Sequence, residues 1–333
     1  MTLIHRALPE LDMDKLNLSI DLLGKRLQAP FLIASITGGH PDTTPVNAAL
    51  AAAAEELGVG IGVGSQRAAI DDPAQEESFR VVREKAPTAF IYGNVGAAQI
   101  RQYGIDGVEK LIEMIDADAL AIHLNFLQEA IQPEGDRDAT GCLEMIKEIC
   151  SVLGKPVIIK ETGAGISRED AILLQKAGVS AIDVGGAGGT SWAGVEVYRA
   201  RKSGDYASEN LGELFWDFGI PTVASIIESR VSLPIIATGG IRTGVEIAKS
   251  IALGASAASA ALPFVGPALE GKESVVRVLS RMLDELRISM FLCGCANIQD
   301  LRNAPVVVTG WTLEYLGQRG FNVKDYAIAG DSF

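Results

Sequence analysis

Short apolar runs alternate with amphipathic segments along most of the chain. One unit lies toward the C-terminal end, where residues 233–238 form an apolar run rich in β-branched side chains that Gly239 and Gly240 close. Residues 245–253 then have helical periodicity, Gly254 follows them, and a second apolar run of small residues spans 255–261. Strand, glycine turn, helix and strand in this order predict a βαβ unit, because parallel strands need a crossover connection.

The same unit recurs upstream along the chain. Six further strands are predicted at residues 30–37, 58–62, 89–94, 119–125, 156–161 and 179–184. The helices that follow them are predicted at 46–57, 74–85, 104–115, 141–153, 168–177 and, after a long interval, 221–229. Eight strands that alternate with helices predict an α/β fold, the (β/α)8 TIM barrel.

The whole chain is expected to form one domain. Its 333 residues exceed the usual domain size, but TIM barrels often reach this length. We expect an N-terminal extension at 1–29, the barrel at 30–292 and a C-terminal helical extension at 293–333. Residues 251–269 are uncharged and long enough to suggest a membrane span, but their prolines, glycines and serines favour a strand, a turn and a helix start.

Composition and charge exclude several classes of partner. The formal net charge is −13 and no basic cluster is present, so neither nucleic acid nor an anionic membrane is an expected partner. The four cysteines lack zinc-binding or disulfide spacing and indicate ordinary thiols in a reducing cytoplasm. No charged and apolar leader with a cleavage site is evident, so a cytoplasmic protein is expected.

Polar side chains follow the predicted strands, at the ends that form the active site of a TIM barrel. They are Thr37, Ser65, Arg67, Asn94, His123, Asn125, Lys160, Glu161, Thr190 and Arg242. Helix caps or turns are an alternative explanation for Ser65 or Thr190 taken alone. Lys160 is different, because a lysine at the inner end of a central strand cannot easily reach solvent and needs an anionic partner. An electron-rich cofactor ring would supply that partner.

Two stretches predict ligand binding. Gly239 and Gly240 leave backbone N–H groups free at a helix start, and the loops after strands 7 and 8 of such barrels commonly hold a phosphate in this way. The loop at 126–138 carries four carboxylates and two glutamines. It suits a hard cation such as Mg²⁺, with a solvated acidic loop as the alternative. Only three histidines occur in the chain, so a histidine-based metal site is not expected.

Several motifs stand in a fixed order from about residue 3 to residue 325. They include Thr37-Gly38-Gly39, Gly64-Ser65-Gln66-Arg67, His123-Leu124-Asn125, Gln128-Glu129, Gln132-Pro133-Glu134-Gly135-Asp136, Lys160-Glu161, Gly188-Gly189-Thr190-Ser191-Trp192 and Phe215-Trp216. Together they resemble the type 2 isopentenyl-diphosphate isomerases. The resemblance implies a TIM-barrel flavoprotein that interconverts isopentenyl and dimethylallyl diphosphate without net redox change. It also implies FMN, Mg²⁺, NADPH as the flavin reductant, and self-association into tetramers or octamers.

The resemblance also assigns roles to individual residues. Those that would line the flavin are Ser35, Ile36, Thr37, Ser65, Asn94, Lys160 and Thr190. Those that would hold its phosphate are Gly239, Gly240, Arg242, Ala261 and Leu262. Those that would face the isoprenoid diphosphate are Arg67, His123, Asn125 and Gln128. Glu129 would bind Mg²⁺, and the catalytic side chains would be Gln128, His123 and Glu196.

One part of the family pattern has no counterpart in the sequence. The family's Arg-Lys-x-x-His element, which grips the substrate diphosphate, would lie before the first matching residues. Because the other motifs are intact, a start further upstream is the favoured interpretation, and a flavin-binding but catalytically impaired homologue is the alternative. Another alternative is a different FMN-dependent TIM-barrel oxidoreductase. An enzyme of that class is expected to carry a His-Arg pair or a reactive cysteine after a strand end, and no such loop is evident.

Overall fold

Eight short parallel strands close into a barrel in the computed structural model, which describes residues 1–328. The strands are β1 (Phe31–Ile33), β2 (Gly60–Gly62), β3 (Ile91–Gly96), β4 (Ala119–Leu124), β5 (Val157–Glu161), β6 (Ala181–Asp183), β7 (Ile235–Thr238) and β8 (Ala257–Ala260). Each strand pairs with the next, and β8 returns to β1 with Ala258 opposite Phe31. The predicted TIM barrel is therefore confirmed, although several strands are shorter than predicted.

Helices surround the barrel. In chain order they are α1 (Thr44–Leu57), α2 (Arg67–Asp71), α3 (Glu77–Lys85), α4 (Ala97–Met114), α5 (Phe126–Ile131), α6 (Cys142–Val152), α7 (Arg168–Lys176), α8 (Trp192–Ser203), α9 (Tyr206–Leu214), α10 (Thr222–Glu228), α11 (Gly244–Ala252), α12 (Leu262–Glu270), α13 (Lys272–Leu292), α14 (Ile298–Arg302) and α15 (Gly310–Gln318). The main apolar core lies between these helices and the strands.

A second apolar cluster fills the lower part of the barrel lumen. Its strand residues are Leu32, Phe90, Tyr92, Ala119, Ala121, Ile158, Ala181, Ile236 and Ala257. A hairpin of Ile20–Leu22 and Lys25–Leu27 adds Leu22 and Leu27 to this cluster. Because side chains alternate between the two faces of a strand, the residues two positions further along point into the lumen as well. Several of those residues are polar, and they form the floor of the candidate site.

The segment between β6 and α10 holds two helices that the periodicity did not predict. Ser191 caps α8 by accepting a hydrogen bond from the Gly194 N–H at 3.1 Å. Asp205 caps α9 by accepting from the Ala207 and Ser208 N–H groups, both at 3.1 Å. The prediction of one helix at 221–229 missed these two because much of their surface is exposed and their apolar stripe is weak. The two capping residues were the available signal.

Other boundaries differ in smaller ways. The helix predicted at 104–115 begins at Ala97, and Gly104 interrupts it with φ 62° and ψ −169°. A short helix, α5, precedes the one predicted at 141–153. At the chain ends, Thr2–Leu3 pairs antiparallel with Val306–Val307. The C-terminal extension contains α14, α15 and a 3-10 turn at Val323–Ala327, and residues 329–333 of that predicted extension lie outside the described residues.

None of the helices within residues 1–328 is both long and apolar enough to cross a membrane. The uncharged stretch at 251–269 forms the end of α11, strand β8 and most of α12. This agrees with its interpretation as a strand, a turn and a helix start.

Candidate active site

A cavity of about 620 Å³ opens at the carboxyl ends of the strands. Loops after all eight strands contribute to its lining. The predicted site residues that line it are Ser35, Ile36, Thr37, Ser65, Arg67, Asn94, His123, Asn125, Gln128, Glu129, Lys160, Thr190, Gly239, Gly240, Arg242, Ala261 and Leu262. The chain topology thus brings together every predicted site residue except Glu196.

Lys160 supplies a buried cation on the floor of the cavity. The residue is on β5, two positions beyond the lumen residue Ile158, and it is only 8% exposed. Within residues 1–328, its ammonium group has no hydrogen bond or ion pair to any other group. A buried charge needs compensation, so this position fits a ligand with electron-rich atoms above the lysine.

Three buried hydroxyl groups belong to the same floor, where Ser35 and Ser259 lie beside Tyr92 and Thr238 lies beside Asp183. Ser35 Oγ, Thr238 Oγ1 and Ser259 Oγ are buried and have no hydrogen-bond partner among residues 1–328. Buried polar atoms are almost always hydrogen-bonded in folded proteins. Because the three hydroxyl groups lie around one cavity, they indicate a ligand whose polar atoms supply the missing hydrogen bonds.

One rim of the cavity is built to hold an anion. Gly239 and Gly240 have φ angles of 115° and 79°, and a Cβ added to Gly189 would lie 2.7 Å from Gly240 N. Only glycine allows the loops after β6 and β7 to approach so closely. The adjacent helix α12 starts after Ala261 without a side-chain cap. Pro263 has no N–H and the Phe264 N–H donates to the Ala261 carbonyl at 3.0 Å, so the Leu262 N–H is the group at its start that can bind a phosphate.

Two exposed arginines at the cavity are available for anionic ligands. Arg67 begins α2, and Arg242 follows the glycine pair after β7. Within the described part of the chain, neither guanidinium forms an ion pair or a hydrogen bond, and both residues line the cavity. The Arg242 N–H is held by Glu246 Oε2 at 2.7 Å as part of the capping of α11. Arg242 is therefore anchored through its backbone while its side chain remains free.

His123 is a neutral imidazole. Its Nδ1 lies 3.0 Å from Asn94 Oδ1, which can only accept a hydrogen bond, so Nδ1 carries the proton. Burial, and then the positive charges of Lys160 and Arg67, lower the pKa of His123 to about 3. At neutral pH its Nε2 is consequently a hydrogen-bond acceptor and the ring carries no charge.

Gln128 and Glu196 form a pair in which only Gln128 lines the cavity. Gln128 Nε2 donates to Glu196 Oε1 at 2.8 Å. Glu196 is 2% exposed and lies behind the glutamine, on α8. The structure therefore places Glu196 one hydrogen bond away from the cavity, where it can act through Gln128.

Glu129 is held by three donors. Asn125 Nδ2 donates to its Oε1 at 3.1 Å, and Gln132 Nε2 and the Asp136 N–H donate to its Oε2 at 2.9 and 2.8 Å. The other acidic residues of the loop are directed elsewhere, since Glu134 pairs with Arg199 and Asp138 with Arg101. Residues 1–328 contain no group of three or more His, Cys, Asp or Glu side chains that could hold a metal ion. A metal at Glu129 would therefore take most of its oxygen ligands from substrate and water, as Mg²⁺ often does.

Two buried carboxylates lie close to Lys160, namely Asp183, which does not line the cavity and was not predicted as a site residue, and Glu161, which lines it. Asp183 is the register partner of Lys160 on the neighbouring strand. Burial raises the pKa of Asp183, and the charge of Lys160 opposes this. Burial likewise raises the pKa of Glu161, against hydrogen bonds that its Oε2 accepts from the Thr162, Gly163 and Ala164 N–H groups at 2.6, 2.7 and 2.5 Å. An aspartate inside the apolar run Ala181–Asp183 was the signal in the sequence for the first of them.

The chain matches known proteins over most of its length. Residues 110–308 match the sequence profile of a family described as FMN-dependent dehydrogenase. The chain is 96% identical over 333 residues to the isopentenyl-diphosphate delta-isomerase of Methanosarcina barkeri, which covers 100% of this chain and 91% of that protein. It is 54% identical over 318 residues to the protein of the same name from Archaeoglobus fulgidus, which covers 96% of this chain and 91% of that protein.

Solved structures with a similar fold have much lower sequence identity. A mandelate oxidase mutant with a monooxide FMN adduct is 20% identical, with a TM-score of 0.63 over 92% of this chain and 88% of that chain. Mandelate oxidase with a difluorinated phenylpropionic acid is 19% identical, with a TM-score of 0.64 over 93% and 87%.

The solved structures establish the fold, whereas the sequence relatives establish the family. Identity near 20% shows a shared barrel and carries no information on the reaction. Identity of 54% to 96% over nearly the whole length of both proteins is far above that level. The chain therefore belongs to the type 2 isopentenyl-diphosphate delta-isomerase family.

Proposed function

We propose that this protein binds FMN in the cavity and interconverts isopentenyl and dimethylallyl diphosphate. The observation that carries the proposal is the ammonium group of the buried Lys160, which forms no ion pair within residues 1–328, below a cavity whose rim suits an anion. The lysine would lie against the electron-rich edge of the flavin ring. The free hydroxyl groups of Ser35, Thr238 and Ser259 would meet polar atoms of the cofactor.

The remaining flavin contacts follow from the lining. Ile36, Thr37, Ser65, Asn94 and Thr190 would surround the ring, and Gly239, Gly240, Arg242, Ala261 and Leu262 would hold the phosphate at the start of α12. Reduced FMN, when bound, supplies an electron-rich ring with acid–base nitrogen atoms next to the substrate. NADPH is the proposed reductant of the flavin.

The substrate would occupy the outer part of the cavity. Arg67 would attract the diphosphate, and Glu129 would bind Mg²⁺ that also contacts diphosphate oxygens. Asn125 would hold both the substrate and Glu129, since it already donates to the glutamate at 3.1 Å. Because His123 is neutral, it would contribute a hydrogen-bond acceptor and no charge.

Isomerisation requires one proton to be added to the allyl unit and another to be removed close by. Gln128 lines the cavity and donates from its Nε2 to the buried carboxylate of Glu196, with 2.8 Å between Nε2 and Oε1. That contact turns the other end of the amide toward the cavity and connects it to a proton acceptor. Gln128 and Glu196 would therefore assist proton movement.

Self-association and a cytoplasmic location also belong to the proposal. Tetramers or octamers are proposed on the resemblance to the family, and the exposed aromatic residues between β6 and α10 support a contact between subunits. A reducing cytoplasm suits the four free cysteines.

The test is direct. The purified protein should release FMN, identified by mass spectrometry, and should convert isopentenyl diphosphate anaerobically with NADPH and Mg²⁺, followed by NMR. Lys160→Met keeps the side-chain length but removes the charge, and it should lower both flavin retention and the conversion rate. A protein without flavin would contradict the proposal. A flavoprotein that consumes NADPH in proportion to a reduced product would instead be an oxidoreductase of another class.

A further inference from the structure

Arg199 on α8 contacts three side chains near the cavity without lining the cavity itself. Its Nη1 atom donates to both oxygens of Glu196, at 3.1 and 2.9 Å, and lies 3.4 Å from Gln132 Oε1. Its Nη2 atom donates to Glu134 Oε1. The guanidinium therefore links α8 to the loop after β4.

Two chains of hydrogen bonds lead from this guanidinium to the cavity. Along the first, Glu196 Oε1 accepts from Gln128 Nε2 at 2.8 Å. Along the second, Gln132 Nε2 donates to Glu129 Oε2 at 2.9 Å. One chain ends at the residue proposed to assist proton movement, and the other ends at the proposed metal ligand.

A guanidinium can only donate, and this property sets the direction of both chains. Because Gln132 offers its oxygen to Arg199, its NH₂ group must face Glu129. Glu196 is 2% exposed, and both of its oxygens accept from Arg199 Nη1. Because its Oε1 is an acceptor in this arrangement, Gln128 turns its NH₂ group toward Glu196 and its oxygen away.

We propose that Arg199 is a positioning residue that orients Gln128 and Glu129 together, so that proton movement and metal binding depend on one side chain. The inference rests on the proposed function, which assigns those roles to Gln128 and Glu129. Without Arg199, Glu196 would lose its counter-charge. The side-chain amides of Gln128 and Gln132 could then each rotate by half a turn and exchange their oxygen and NH₂ positions.

The surroundings of Arg199 allow a sharp experiment. Its side chain is 51% exposed and lines a separate outer cavity of about 480 Å³ together with Pro133, Lys202 and Ser208. This outer cavity shares no lining residue with the candidate site. A small guanidinium ion added to the solution could therefore replace the missing group in Arg199→Ala without entering the candidate site.

The matched control lies on the same helix. Arg201 pairs with Glu209 at 2.7 Å and with Glu213 at 2.6 Å, and neither partner lines the candidate site. Arg201→Ala removes an arginine of similar exposure from α8 and should leave kcat and the Mg²⁺ requirement unchanged.

The experiment compares the holoenzyme with Arg199→Ala, Arg199→Lys and Arg201→Ala. In Arg199→Ala we expect kcat to fall and the half-saturating Mg²⁺ concentration to rise, each by roughly 10- to 100-fold, the effect typical of an outer-shell partner. FMN content should stay equal to that of the parent.

Guanidinium chloride at about 20 mM, far below denaturing concentrations, should restore kcat and the Mg²⁺ dependence in Arg199→Ala. It should leave both quantities unchanged in the parent. Arg199→Lys keeps a charge that can pair with Glu196, but its single nitrogen replaces the two that contact Glu196, Gln132 and Glu134. The contact with the neutral Gln132 should be lost first, so this variant should retain more kcat than Mg²⁺ affinity.

The outcomes separate this inference from the proposed function. Parent-like kcat and Mg²⁺ dependence in Arg199→Ala, with an inactive Gln128→Ala variant, would overturn the inference alone. A loss in Arg199→Ala that guanidinium does not restore, together with an equal loss in Arg199→Lys, would show a general structural role and also overturn it. Unchanged isomerisation in Gln128→Ala would remove the proton assignment on which the inference rests.

Discussion

Burial decides which side chains at the strand ends carry charge. Within residues 1–328 Lys160 forms no ion pair although Asp183 lies opposite it, His123 is neutral, and burial raises the pKa of Asp183. Glu129 is also buried, but three donors compensate its charge. The cavity is therefore suited to a negatively charged ligand. Glu129 is positioned to bind a cation together with that ligand.

Glu129→Gln should weaken metal binding. The substitution removes the anionic ligand, and in either orientation its NH₂ group faces a donor, which is Asn125 Nδ2 on one side or Gln132 Nε2 and the Asp136 N–H on the other. Loss of a partner outside the first ligand shell typically lowers metal affinity by roughly 10- to 100-fold. Loss of the ligand itself should raise the half-saturating Mg²⁺ concentration by at least as much, and high Mg²⁺ should restore part of the rate. Mg²⁺ titrations of isomerase activity measure this. Asp138→Asn is the control, since Asp138 pairs with Arg101 and should leave the requirement unchanged.

Asp183→Asn should change how stability depends on pH. Because burial raises the pKa of Asp183 in the folded protein, the folded state binds this proton more tightly than the unfolded state. Its contribution to stability is full below the unfolded pKa of about 3.9 and is lost as the pH rises through the folded pKa. Asparagine does not titrate, so the stability of the variant relative to the parent should increase with pH, by at most about 1.4 kcal/mol per pH unit.

Urea unfolding of the flavin-free protein between about pH 4.5 and pH 8 measures this difference, within the window set by the unfolded aspartate pKa. A difference between variant and parent that is constant over this range would show that Asp183 does not titrate between the two states.

At the scale of elements, the C-terminal extension braces the helices outside β5 and β6. Arg319, at the end of α15, donates to Glu228 on α10 at 2.9 and 3.2 Å and pairs with Glu169 on α7 at 2.6 Å. Glu228 also accepts from Tyr315 Oη at 2.8 Å. At its other end α10 reaches the site, because Thr222 Oγ1 donates to the Gly239 carbonyl at 2.7 Å. The extension thus supports the loop that carries the proposed phosphate site.

Arg319→Met should destabilise the fold. Glu228 has a fully buried side chain, while 35% of the Arg319 side chain is exposed. Removing the guanidinium leaves the buried Glu228 carboxylate without its counter-charge, which is destabilising, and solvent screening at Arg319 reduces the size of the loss. The measurement is the free energy of unfolding in urea. Arg277→Met, which removes an exposed pair with Glu270, should change it by less than about 1 kcal/mol, and equal losses in the two variants would contradict the bracing role.

At the scale of the whole molecule, one surface is unusually rich in exposed aromatic and aliphatic side chains. Tyr198, Tyr206, Leu214 and Phe218 are all more than half exposed in the segment between β6 and α10. Tyr198 contacts Trp216 edge to face, with ring centroids 6.1 Å apart. Clusters of this kind on a protein with a net charge of −13 are typical of a surface that another subunit covers.

Phe218→Asp should therefore reduce the oligomeric state. An added charge in an apolar contact has to lose its hydration without gaining a partner. The parent is expected to sediment as a tetramer or octamer and the variant as a smaller species in analytical ultracentrifugation. Leu269→Glu is the control, since Leu269 is equally apolar and exposed but lies on α12. A monomeric parent would contradict the expectation of self-association.

The amino-acid sequence by itself determined the barrel and most of the cavity lining. A strand buried on both faces must be a continuous apolar run, and a tight turn at its end must contain glycine. Both signals are local, so eight strands could be counted before any contact was known. Once the strands are parallel, the residues after each of them meet at one end, which is why Lys160, Thr190 and Arg242 could be assigned to a common site.

Only the tertiary structure decided which polar groups satisfy one another. Arg199 lies 67 positions from Gln132 and 65 from Glu134, and no periodicity links residues so far apart. The same holds for Lys160 and Asp183, which became neighbours through the register of β5 and β6. The loop of carboxylates suggested a shared metal site, but long-range ion pairs direct Glu134 and Asp138 elsewhere. The physical reason is that apolar burial and turn geometry are local requirements, whereas a hydrogen bond or ion pair depends on which distant segment the fold brings within about 3 Å.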